Sequence, residues 1–89
     1  MDLVLPTWFK YRQGKAEPAG ENAAKLTAPN LPEATISIRE AENGNWQGVL
    51  RNAAEGPETA VTQPEFVTPS EAWGAAFELY RNYVVVGLT

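Results

Sequence analysis

The run TPSEAWGAAFELYRNYV, residues 68–84, reads as one amphipathic helix, and the rest of the chain must supply the surface it covers. Thr68 is placed to cap it, its hydroxyl accepting a backbone N–H of the first turn. Pro69 follows at the first helical position, where a missing N–H costs nothing. Glu71 is spaced to accept the N–H of Thr68 itself, completing a capping box, and its carboxylate suits the positive end of the helix dipole. Apolar side chains then recur at Trp73, Ala76, Phe77, Tyr80, Tyr83 and Val84, the spacing of a single buried face, widened by Ala72 and Leu79. Glu71, Gly74, Ala75, Glu78, Arg81 and Asn82 take the other side, where Glu78 and Arg81 are spaced to pair. A lone helix of this length is marginal in water, so its aromatic stripe is read as core against a sheet in preference to a cofactor box.

The strands lie upstream. In ATISIREAE, residues 34–42, Ile36 and Ile38 face one way and Thr35, Ser37 and Arg39 the other. Asn43-Gly44-Asn45 is a hairpin signal, because Asn and Gly tolerate the positive φ of a tight turn. WQGVLRN, residues 46–52, follows as the return strand. A three-residue loop with a bulge puts Ile36, Ile38, Trp46 and Leu50 on one face, whereas a two-residue loop separates them, so the odd loop is expected. Gly48 shares that face and leaves a dent for an aromatic of the helix. AAEGPE, residues 53–58, is a loop with a Gly-Pro turn, and TAVTQ, residues 59–63, is a short strand that Pro64 confines to an edge or ends. Phe66 and Val67 lead into the cap, with Val67 fixing the entry angle. The expected core is Ile36, Ile38, Trp46, Leu50, Val61, Phe66, Trp73, Phe77, Tyr80 and Tyr83. After Tyr83, the valines 84–86 and Gly87 weaken and stop the helix. The fold class is α+β in β-β-β-α order, a three-stranded antiparallel sheet packed by one C-terminal helix, four-stranded if the N-terminus joins its edge.

Residues 1–12 form an apolar and aromatic arm or edge strand broken by Pro6. Extended, it places Thr7, Phe9 and Tyr11 on one side and Trp8, Lys10 and Arg12 on the other. One reading has Leu3, Leu5 and Phe9 padding the core edge; the other has the aromatics and cations meeting a partner. Residues 13–33 hold Gly14, Pro18, Gly20, Pro29 and Pro32 among many alanines, and read as a flexible linker. The ordered domain is then 34–89.

The chain has 89 residues, room for one domain, and its 44% hydrophobic content argues against wholesale disorder. It contains no cysteine and no histidine, which removes disulfides, thiolate nucleophiles, sulfur-rich zinc sites and the commonest general base and metal ligand. Glu40 and Glu42 share a strand face, and Glu55 and Glu58 share a loop, yet all four sit among polar or turn residues and read as solvated surface. Ser70 has no base beside it, and GNWQG lacks the lysine and following helix of a phosphate loop. No enzyme, cofactor or metal is therefore expected. No apolar run reaches the about 20 residues of a membrane span, and MDLVLPTW lacks the features of a secretion signal, so a soluble, cytoplasmic protein is expected. Residues 1–25 hold four cations against three carboxylates, whereas residues 26–89 hold three against eight, giving a net charge of −4 in all. An acidic body disfavours broad nucleic-acid binding.

Aromatic content exceeds what such a small sheet covers. The surplus lies in the N-terminal arm, and exposed Trp and Tyr are enriched where proteins meet. Trp8, Phe9, Lys10, Tyr11 and Arg12 are therefore the candidate partner-binding residues of a small non-enzymatic interaction module, either an accessory or regulatory subunit docked on a larger protein or a self-associating one. The alternative is a single-stranded nucleic-acid contact made by the same arm.

Overall fold

The structure, a computed structural model, describes residues 5–20, 22–29, 31–51 and 58–85. The expectations for Leu3, for the loop over 52–57 with Glu55, and for the tail from residue 86 lie outside the described residues. The chain runs through α1 (Thr7–Tyr11), β1 (Lys15–Pro18), β2 (Ala23–Thr27), β3 (Ala34–Glu40), β4 (Trp46–Arg51), β5 (Glu58–Val61) and α2 (Pro69–Tyr80), which passes into a π-helical turn at Arg81–Val85. The five strands form an antiparallel meander in chain order, and α2 covers one of its faces.

The sheet is α+β as expected but has five strands instead of three or four. The extra two, β1 and β2, occupy the segment read as a linker. Composition misled there because alanine, glycine and proline say little about burial. Ala24 and Leu26 project toward α2 opposite Ile36 and Ala34, and are fully buried in the core. Burial on the pleated face, supplied by β3, sets the strand where propensity does not.

The central hairpin has the odd loop. Glu40 pairs with Trp46, Ile38 with Gly48 and Ile36 with Leu50, so the apolar set shares the helix face. Gly44 donates its N–H to the Ala41 carbonyl at 3.0 Å and has φ of +85°, the left-handed residue that closes a three-residue loop. Gly48 does receive the helix, but through its backbone. A Cβ at position 48 would lie 2.9 Å from the Ala76 nitrogen, so α2 rides directly on β4 there and no aromatic fills the dent.

The cap of α2 is present with one shift. Thr68 Oγ1 accepts the Glu71 N–H at 3.2 Å, and Glu71 Oε2 accepts the N–H of Val67, not of Thr68, at 3.3 Å. Val67 is 72% exposed and does not pack, because the chain's entry is fixed instead by the paired backbones of Trp46 and Phe66. Val61 and Tyr83 also leave the expected core for the surface. Val61 sits opposite Val49 on the sheet face away from α2. Tyr83 turns outward because the wider π turn rotates it off the α-helical stripe, while Val84 stays buried. The face away from α2 carries its own cover of paired charges: Arg39 meets Glu58 at 2.8 Å, and Lys25 lies between Glu17 and Glu33 at 4.0 and 3.9 Å.

Two substitutions check this account. Thr68→Ala is expected to lower stability by about 1 kcal/mol; an unchanged denaturation midpoint would remove the cap. Gly48→Ala is expected to cost about 1–3 kcal/mol by forcing α2 off the sheet. A variant as stable as the parent would show that helix and strand do not approach this closely.

Candidate partner-binding surface

Pro6 starts α1 by accepting the N–H groups of Phe9 and Lys10 on its carbonyl, both at 3.1 Å. Gln13, at φ of +58°, ends the turn, and the Gly14 N–H returns to the Phe9 carbonyl at 3.0 Å. A single helical turn cannot hold itself together in water, so tertiary contact must hold it. Phe9 provides that contact. Its ring is fully buried, 5.6 Å from Phe77 and 5.7 Å from Tyr80 by centroids. A side chain at position 14 would enter this ring at 2.4 Å, which is why glycine stands there.

Trp8 is half-buried. It stacks on Tyr80 at 6.2 Å with an interplanar angle of 18°, meets Phe9 edge-on at 5.7 Å, and carries the Arg81 guanidinium 6.0 Å above its ring. The helical twist then sends Tyr11 the other way, leaving it 84% exposed, with Lys10 and Arg12 exposed on either side. The five candidate residues thus divide. Phe9 belongs to the core, Trp8 spans core and rim, and Lys10, Tyr11 and Arg12 form the surface. An extended reading of the arm missed this division, because one helical turn is too short to show a period. The spacing of Pro6 and Gly14, a start and a stop eight residues apart, was the available signal.

A further cation, Lys15, follows α1 in the chain. Lys15, the first residue of β1, borders a shallow open recess with Gln13, Thr27, Ala28 and Pro29. Lys25, Arg39, Arg51 and Arg81 each have a carboxylate within 4.0 Å, whereas Lys10, Arg12 and Lys15 have no ion-pair partner among the described residues. Among the described residues, the cations without a partner are thus Lys10 and Arg12, which flank Tyr11 in the chain, and Lys15 at the start of β1. Among the described residues no cluster of carboxylates is arranged to hold a metal ion, and no helix is long and apolar enough to cross a membrane.

Beneath the surface, the Tyr80 hydroxyl is buried and has no hydrogen-bond partner among the described residues. Burial pushes its pKa above the ordinary 10.0, and the Arg12 guanidinium opposes that rise. No protein-family model matches the chain, and neither do any curated protein or solved structure.

Tyr80→Phe keeps the ring and removes the unpartnered hydroxyl, so stability is expected to stay level or rise by about 1 kcal/mol. A comparable loss would reveal a bond to that hydroxyl. The pH dependence has a definite sign. With its folded pKa raised, Tyr80 adds stability that is intact below the unfolded-state value near 10.0 and is lost as pH rises through the folded one. Alkaline denaturation midpoints should fall less steeply in Tyr80→Phe than in the parent, and parallel curves would contradict the assignment.

Proposed function

We propose that this chain is a small non-enzymatic interaction module that docks on an acidic protein surface through Lys10, Tyr11 and Arg12, with Lys15 and the exposed edge of Trp8 at the rim. The observation that carries the reading is the 84% exposure of Tyr11 among cations that have no described carboxylate partner, on a chain of net charge −4. A Tyr ring offers a large contact area for little conformational entropy, and long cationic side chains steer it to an acidic patch. Phe9 acts from behind, holding the turn in place.

Single-stranded nucleic acid is the second reading, favoured by the same pairing of aromatic and cation. It is weaker because binding of that kind uses successive rings as stacking platforms. Here Phe9 is buried and Trp8 is stacked on Tyr80, so of the three rings of α1 only Tyr11 is free.

A photo-crosslinking residue at position 11 in the native cell would identify the partner, and the purified pair would then be titrated. Tyr11→Ala and Arg12→Glu should each weaken binding at least tenfold with the melting temperature unchanged. Undiminished affinity in both variants would overturn the reading. An RNA or DNA adduct, with affinity falling steeply as salt rises, would select the second reading.

A further inference from the structure

Among the described residues, the charges that remain outside ion pairs are sorted by end of the molecule. In the sheet register, Glu40 pairs with Trp46 beside the hairpin turn, and Trp46 in turn pairs with Phe66, which leads into α2. Glu40, Glu42, Glu65 and Glu71 are gathered at this hairpin end by the meander and by the start of the helix. All four are exposed, and none is within ion-pair distance of a described cation. At the opposite end, Lys15 pairs with Thr27 next to the Leu26–Ala34 pair, and α2 finishes against Trp8 and Phe9. That end carries Lys10, Arg12 and Lys15. The charges between them, Glu17, Lys25, Glu33, Arg39, Arg51 and Glu58, are matched to one another.

Apart from Val61 on the sheet face, the exposed large apolar side chains among the described residues lie at the two ends. Tyr11 and Tyr83, 84% and 58% exposed, lie at the cationic end, and Val67, at 72%, lies at the acidic one. The sheet edges offer a poor alternative. Edge strand β1 starts with Lys15 and ends in Pro18, which has no N–H to donate, and β5 has four residues, a bulge and Pro64 soon after it. Short, charged, proline-bearing edges resist pairing with another chain.

We propose that the chain associates head to tail with copies of itself, the cationic α1 end of one molecule seating on the acidic hairpin end of the next. This rests on the docking surface proposed above and names the acidic surface it takes. The two patches differ, so the contact is heterologous. It builds a ring if the rotation closes and an open string if it does not.

Sedimentation velocity on the full chain tests this at about 0.01 M salt, where charges act over about 30 Å, and at about 1 M, where they act over about 3 Å. The expected result is mass at least twice the monomer's at low salt and monomer alone at high salt. K10E/R12E/K15E and E40K/E42K/E65K should each be folded and monomeric, while their equimolar mixture associates again. The unaltered acidic end of the first variant meets the unaltered cationic end of the second, and the two reversed ends are also of opposite charge. Three results would overturn the inference: a wild type that is monomeric at low salt, variants that still associate singly, or a mixture that does not associate. A labelled polyglutamate peptide separates this failure from that of the docking reading. A monomeric wild type that binds the peptide through Tyr11 and Arg12 removes only the second copy, whereas one that neither associates nor binds removes both.

Discussion

The ring of Phe9 fills the volume that a side chain at position 14 would need, and the first third of the chain depends on that contact. Burying an aromatic ring of this size removes far more apolar surface from water than one helical turn could otherwise hold. With Phe9 seated between Phe77 and Tyr80, the turn's other side has nowhere to go but outward. The exposed Tyr11 and its flanking cations are thus a geometric result of how the core is closed. The anchor Phe9 and the exposed Lys10, Tyr11 and Arg12 adjoin one another in a single turn and its cap, and the path from α1 into β1 follows from the Gly14 notch.

A second close approach governs the body. Gly48 lets the backbone of α2 lie on β4 without an intervening side chain. Close contact between helix and sheet leaves little width for core side chains, which suits the small residues Ala24, Ala34, Ala72 and Ala76 found buried there. Large rings are then concentrated toward the far end of α2, where Phe77 and Tyr80 meet Phe9 and Trp8. One face of the sheet is closed this way, and the other is covered by its own ion pairs. What remains open are the two ends, which differ in charge.

The parts of this arrangement that were legible in the sequence are those specified by local rules. Thr68 and Pro69 marked the start of α2, and Asn43-Gly44 with the alternation of Ile36, Ile38, Trp46 and Leu50 marked a hairpin and its odd loop. Where tertiary context decides, local signals were silent. KAEP and AAKLT resemble linker by composition, yet Leu26 and Ala24 become strand residues because Ile36 and Ala34 offer them a partner and a buried face. Tyr83 continued the helical spacing in sequence but not in space, since the turn widens after Tyr80. At the site, Lys10, Tyr11 and Arg12 were recognisable as aromatic and basic together. The burial of Phe9 and the stacking of Trp8 both depend on where α1 packs, and no pattern of polarity within the arm encodes that.

Chemical denaturation of Phe9→Ala tests most directly whether this ring holds the N-terminal third to the domain. Removing a fully buried Phe ring should cost about 3–5 kcal/mol and shift the unfolding midpoint accordingly. A midpoint indistinguishable from that of the parent would mean that α1 is not anchored by Phe9, and the exposed face of Tyr11 would lose its structural cause.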